Sequence, residues 1–437
     1  MKKRCIAAVL TAVMVMGTML TGCGSSSNEN ASASETTDTA EAENNETADK
    51  ETETESISGQ KKQVVLWHSM VSPEVEPFQE MVDNFNANSQ RVEVVTEWVA
   101  RDEQTKQLTI GNMAGELPDM VFVDNPEVIN YGEMGVFQDI KALFDGWEEN
   151  QFLESITNSC VYGGKMYGVP YIGCNLALFY DKDVLEAAGV EAPTTWDELT
   201  KAAEATTKDG VYGLAFSAIK NAECTYQFMP FLWSAEGDWT EMDSANSIEA
   251  MTYYSDFVKN GLANKEVLNW SQADVCKQFA SGNSAMMING SWNVGTLRND
   301  APDKNWGVVP IPVDKVPASC LGGEALCITK SADAEASFEF IEYLCGKEIS
   351  APYAKSTAKF SPRSDVDNEV EFADDPEMKV FADEMKNTKP RGPYPKWTEI
   401  DNAIIEACQS ALTDAKTPEQ ACKDAAAKIA DIQASLE

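Results

Sequence analysis

Histidine is almost absent from this chain: His68 is the only one among 437 residues. That argues against a zinc site of the usual His and Cys ligands, the more so because no Cys-x-x-Cys pair occurs. A Ser-His-Asp triad would have to use His68, and no Gly-x-Ser-x-Gly segment supplies a nucleophile. Basic residues are scarce as well, 34 Lys and Arg against 71 Asp and Glu, for a net charge of −37. Phosphate backbones are held by Lys and Arg, so nucleic acid is argued against as a partner. The acidity otherwise speaks to solubility and not to fold. A paired cysteine framework is missing too. Of eleven cysteines, Cys5 and Cys23 fall in the export segment, and the nine from Cys160 to Cys422 are scattered and odd in number. They read as small buried hydrophobes and not as disulfides.

The apolar run from Ile6 to Met19 is too short for a membrane-spanning helix, which needs roughly 20 such residues. It follows Lys2, Lys3 and Arg4 and precedes small residues, the build of a secretory signal. Leu20-Thr21-Gly22-Cys23 resembles the lipobox of bacterial lipoproteins. The resemblance implies a signal peptide over 1–22, cleavage before Cys23 and a diacylglycerol on its sulfur, with further acylation such as palmitate. Two acyl chains hold a protein on a membrane stably, at about 0.8 kcal/mol per buried CH2. From Gly24 to Gln60 the chain is mostly Ser, Thr, Ala, Asn and Glu, with Ile57 its only large apolar residue. Such a segment cannot offset the entropy of ordering, so 23–60 reads as a lipidated, disordered acidic tether. Its coil reach is on the order of 30 to 40 Å. The expected address is the outer face of the cell membrane, and the tether points to a Gram-positive source.

The remaining length suits two lobes with separate cores. Gln63 to Trp67 reads as a strand. Val75, Phe78, Met81, Val82 and Phe85 recur at helical spacing, Val92 to Val95 is a second strand, Thr105 to Met113 is helical, and Met120 to Asp124 is a buried strand. Strands alternating with helices in this way predict a mostly parallel α/β sheet. A second such region starts after Tyr171. Thr195-Trp196-Asp197-Glu198 is a capping box, which accounts for Trp196 structurally. Gly213 to Phe216 and Ala285 to Ile288 read as strands, Val308 to Pro312 as an edge segment. Thr417-Pro418-Glu419-Gln420 is a second capping box opening the last helix.

Five segments, in order, resemble the extracellular solute-binding protein family 1 of ABC importers, the group related to maltose-binding protein. They are Leu66-Trp67-His68-Ser69, Gly115 to Val121, Leu178 to Leu185 with Pro193 to Leu199, Gly322-Gly323-Glu324 with Phe338 to Ile341, and Pro390-Arg391 through Ile400. The resemblance implies a periplasmic-binding-protein-like type II fold: two α/β lobes, 61–172 plus 320–362 and 173–319 plus 363–437, joined by crossover hinge segments. It also implies a monomer with no enzymatic activity and no cofactor or metal, which closes on a ligand and delivers it to the transmembrane permease subunits.

In open α/β sheets, ligands bind beyond the carboxyl ends of strands. That nominates Trp67 and His68 after the first strand, and Asp124 and Asn125 after the third. A sugar presents C–H faces and hydroxyls, so aromatic faces and charged hydrogen-bonding groups should line its site. Trp233 with Glu236, Trp292 after the Ala285 strand, and Arg391 with Trp397 meet that description. Tyr171 lies at the expected first crossover, Gly323 and Glu324 at the second. The leading expectation is a carbohydrate, most simply an oligosaccharide. A polyol phosphate such as glycerol-3-phosphate is the alternative, with Arg391 as its anchor. A surface glycoside hydrolase would need two carboxylates about 5 to 10 Å apart, and no local motif singles out such a pair.

Overall fold

The computed structural model describes residues 61–436, so the expected signal peptide, Cys23 and the tether lie outside the described residues. The chain enters through β1 (Lys62–His68), where Val64 and Leu66 face the core. The helix Val75–Asn88 lays Phe78, Val82 and Phe85 on the sheet, spaced four and three residues apart as one helical stripe requires. It leads into β2 (Val92–Trp98), parallel to β1. The helix Arg101–Ala114 ends at Gly115, which has the positive φ that a left-handed cap needs. β3 (Met120–Asp124) then pairs in parallel on the other side of β1 and runs straight into the helix Asn125–Glu133.

After a small hairpin of β4 (Val161–Tyr162) and β5 (Lys165–Met166), the chain makes two consecutive strands. β6 (Val169–Cys174) stays with the first sheet, while β7 (Leu176–Asp181) joins a second. The second sheet is completed by β8 (Tyr212–Ala215), β9 (Ser284–Gly290) and β10 (Trp306–Val309), in the order β10-β7-β9-β8. β11 (Ser319–Ile328) returns to the first sheet, and β12 (Thr388–Pro390) adds its outer strand, giving β12-β11-β3-β1-β2 with β6 also on β11. The fold is therefore two-lobed α/β, each lobe with its own sheet and core. Phe78, Phe122 and Phe340 are buried in the first. Phe228, Ile288, Ile404 and Cys408 are buried in the second, which takes in the helices Ala222–Ser234 and Trp397–Leu412.

The sheets are more mixed than the expected, mostly parallel arrangement. β11 is antiparallel to β3 and β6, and β7 is antiparallel to both β9 and β10. Strands that arrive from the other lobe, instead of through a helical crossover on the same sheet, are free to enter in the opposite sense. Smaller expectations fared variously. The Thr195 capping box is complete, with Glu198 N–H donating to Thr195 Oγ1 and Glu198 Oε2 accepting from Thr195 N–H. At Thr417 the hydroxyl accepts from Gln420 N–H, but the Gln420 amide donates to Asp424 one turn on, so the box is half made. Val308 does lie on an edge strand. The nine cysteines from Cys160 to Cys422 are all free and buried. Among the described residues no helix is long and apolar enough to cross a membrane.

Candidate functional site

Charged groups gather where β1, β2 and β3 end and the middle of β11 passes beside them. Asp124 closes β3, and its register partner on β11 is Glu324, so two carboxylates stand side by side across a strand pair. Like charges directly opposite repel, and Arg101, first residue of the helix after β2, bridges them. One guanidinium nitrogen donates to Asp124 Oδ1 and the other to Glu324 Oε1 at 2.6 Å. Burial pushes the Asp124 carboxyl up, but Arg101, aided by Arg391 and Lys359, outweighs it and holds the group below the usual carboxylate range. The attraction of Asp124 correspondingly raises Arg101. Glu324 is buried, and its second oxygen has no protein partner.

A second group faces this one from the other lobe. Arg391 is buried with its Cζ 4.7 Å from the Tyr226 ring centroid, and it donates to the Ala222 carbonyl at 3.1 Å. Its Nε has no protein partner. Tyr226 in turn stacks on Trp292, with centroids 6.2 Å apart and planes at 29°. Gly290 makes that placement possible, since a Cβ there would lie 2.0 Å from the Trp292 ring. The Trp397–Leu412 helix contributes Thr398, whose hydroxyl reaches Glu127 on the Asn125–Glu133 helix, and Asp401, which is buried near Arg391. Lys359 pairs with Glu74 at 2.7 Å. Around the cleft, then, Arg101, Arg391 and Lys359 face Asp124, Glu127, Glu324, Asp401 and Glu74, so carboxyls outnumber cations.

Of the residues expected at the site, Asp124, Glu324, Arg391 and Trp292 are brought into this group. Asn125 is adjacent and buried, and neither end of its carboxamide has a protein partner. Gly323 sits beside Glu324 at φ +132, where a Cβ would meet the Ile172 carbonyl oxygen at 2.1 Å. His68 is packed under the site. Its ring lies 5.2 Å from Phe78, its Nδ1 accepts from Met70 N–H, and burial lowers its pKa against the pull of Glu324.

The other five expected residues lie outside this group, and three of them, Tyr171, Trp233 and Trp397, are corrected to core positions. Tyr171 is fully buried against Phe122 and Tyr353. The β6–β11 register slips between Glu324 and Ala325, skipping Tyr171, and a bulge of this kind re-aims a side chain, here into the core. Trp233 is on a helix and not in a loop, and its indole is core, with Lys389 over one face. Trp397 is likewise core, edge-on to Trp239. Glu236 caps the turn after that helix at positive φ and acts on Lys315 and Asp314. Trp67 is half-buried against the cluster that holds Val121 and Val123, its Nε1 donating to Glu97.

Arg101, Glu127, Tyr226, Lys359, Thr398 and Asp401 were not anticipated. Arg101 was missed because β2 runs to Trp98, three residues beyond the Val95 end expected from the apolar pattern, so the next helix starts beside the carboxyl ends of the strands. Tyr226, Thr398 and Asp401 had no local signal, because helices distant in sequence deliver them.

Comparison with known proteins gives a concordant picture. A family model described as bacterial extracellular solute-binding protein matches residues 80–380. A maltotriose-binding protein of Pyrococcus abyssi is 23% identical over 81% of this chain and 78% of its own length. A maltooligosaccharide ABC transporter solute-binding lipoprotein of Streptococcus pneumoniae is 24% identical over 73% and 76%. Among solved structures, an ABC transporter solute-binding protein of Thermotoga lettingae bound with α-D-tagatose superposes with a TM-score of 0.78 at 26% identity, covering 85% of this chain and 100% of that one.

Proposed function

Because the chain belongs to the bacterial extracellular solute-binding protein family, whose members bind solutes and are not enzymes, we propose that it captures a neutral sugar between its lobes for an ABC importer. One observation carries the sugar reading. The cleft combines the Trp292–Tyr226 stack with hydrogen-bonding charges in which Arg101 is paired with Asp124 and Glu324, and Arg391 feels the charge of Asp401 and Asp124. Sugar hydroxyls accept and donate to such groups, and C–H faces lie on aromatic rings. A phosphate would have to compete with Asp124, Glu324 and Asp401 for the same arginines, which ranks the polyol phosphate below the sugar. An oligosaccharide is favoured over a single sugar because two of the relatives are named for maltotriose and maltooligosaccharides.

The same reading makes Cys23 the lipid anchor and the 23–60 segment a tether outside the cell. The name of the streptococcal relative, a lipoprotein, supports it. It divides the lobes at 172/173, 319/320 and 362/363, in keeping with β6 and β7 belonging to different sheets. A monomer would then present both lobes to the permease.

A thermal-shift panel of mono- and oligosaccharides, with glycerol-3-phosphate as the competing ligand, tests the proposal. A saccharide present at 100 times its dissociation constant should stabilise the protein by about 2.7 kcal/mol. A shift with glycerol-3-phosphate alone would favour the alternative, and release of reducing ends from an oligosaccharide would overturn the binding reading.

A further inference from the structure

Where the two lobes touch, a half-buried carboxyl and a buried one approach from opposite sides. Glu127 lies in the first turn of the Asn125–Glu133 helix of the first lobe. Thr398 and Asp401 lie in the first turns of the Trp397–Leu412 helix of the second. The Thr398 hydroxyl stands 3.2 and 3.1 Å from the two carboxyl oxygens of Glu127, the one direct side-chain hydrogen bond seen between these helices among the described residues. Asp401 is 6% exposed, and its Oδ1 has no hydrogen-bond partner.

We propose that this contact is a proton-operated latch: Glu127 takes a proton from solvent as the lobes close and returns it as they part. The inference rests on the reading that the lobes close around ligand, and it adds a control on that same cleft.

The surroundings of Glu127 give the direction. From the second lobe it faces Asp401, which repels its charge, and Thr398, which favours the charge by donating to it. Asp124 at the end of β3 also repels it, and Arg391 partly compensates. On its own helix, Asn130 Nδ2 lies 3.3 Å from Oε2, and Tyr131 is a neutral phenol at these pH values. From β11 the nearby Glu324 is tied up by Arg101. Burial first, and Asp401 second, push Glu127 up to about 7. Burial raises Asp401 too, but the charge of Arg391 opposes that rise, whereas the main influence opposing the rise of Glu127 is the neutral Thr398 hydroxyl, so Glu127 is the member of the pair that takes the proton. When the lobes part, Glu127 faces water without Asp401 and should titrate near the ordinary glutamate value of about 4.3.

The closed form therefore binds more protons than the open form between about pH 4.3 and 7, and the closing equilibrium should strengthen up to tenfold per pH unit lowered in that window. Above it the equilibrium should be flat. A protonated Glu127 can donate its O–H to the Thr398 hydroxyl, so the contact survives the change.

Single-molecule fluorescence transfer between dyes on Met113→Cys and Lys423→Cys would read the interlobe distance in the full chain carrying Cys5→Ser and Cys23→Ser, with no ligand added. Both positions are exposed, and the nine native cysteines from Cys160 onward are buried. The short-distance population should grow as pH falls from 8.5 to 5.5. Glu127→Gln, which mimics the protonated form, should make it constant with pH. Asp401→Asn, which removes the repelling charge, should move the transition to lower pH, and it serves if Glu127→Gln does not fold. A distance distribution indifferent to pH, or a response unchanged in both variants, would overturn the latch. Because no sugar is present, either result leaves the sugar reading untouched, and failure of every saccharide to bind leaves the latch untouched.

Discussion

Replacing Arg101 by Met separates the two things its guanidinium does, neutralising Asp124 and Glu324 and holding them in place. The two carboxylates are register partners on β3 and β11, which puts their charges about 5 Å apart, the spacing of directly opposite residues. Coulomb's law then gives about 3 kcal/mol of repulsion at an effective dielectric near 20, and under about 1 kcal/mol in bulk water. Asp124's side chain is 31% exposed and Glu324's 8%, so an intermediate cost of about 1 to 2 kcal/mol is expected.

The sign follows from linkage. In the native protein Asp124 is held below the ordinary range. Its contribution to stability is therefore present above the unfolded carboxyl value and is lost only as pH falls through the folded one. Without Arg101, burial and the neighbouring carboxylate push the Asp124 carboxyl up. Stability is then lost as pH rises through the raised value. Urea unfolding of both proteins from pH 4 to 8 should show a small difference at pH 4 that widens to about 1 to 2 kcal/mol by pH 8. A difference that stays constant across that range, or shrinks as pH rises, would refute the electrostatic account and leave Arg101 a packing residue.

Two further outcomes are expected. Trp292→Ala removes an indole that rests on Tyr226 with its other surroundings half open. If a sugar covers about 80 Å2 of that ring, calorimetry should show affinity falling by about 2 kcal/mol, roughly 30-fold, with little change in melting temperature. Unchanged affinity would remove Trp292 from the ligand contacts. Gly323→Ala places a Cβ 2.1 Å from the Ile172 carbonyl oxygen at a backbone angle that L side chains rarely adopt. It should destabilise by about 3 kcal/mol or more in urea unfolding, strain of about 1 to 3 kcal/mol adding to the clash. A neutral effect would mean that β6 and β11 separate more easily than their pairing suggests.

The elements of this protein were largely legible in its sequence because they depend on local patterns. The apolar stripe of Phe78, Val82 and Phe85 requires a helix whatever it packs on, and the Thr195–Glu198 box marks a helix start by its own hydrogen bonds. A strand end pointed to Asp124, the expected second crossover to Glu324, and the Pro- and Gly-rich loop to Arg391. Burial and register were another matter. Trp233 and Trp397 carry the same indole as Trp292, and only the packing of the Ala222–Ser234 and Trp397–Leu412 helices buries two of them and leaves the third beside the cleft. The one-residue slip at Tyr171 belongs to the pairing of β6 with β11, strands about 150 positions apart in the chain, so no local pattern encodes it. The contact of Glu127 with Thr398 and Asp401 is likewise a product of two lobes meeting. Composition and spacing determined what the pieces are and in which order they come; the tertiary structure decided which charges face each other, because electrostatic pairing depends on distance in space and not along the chain.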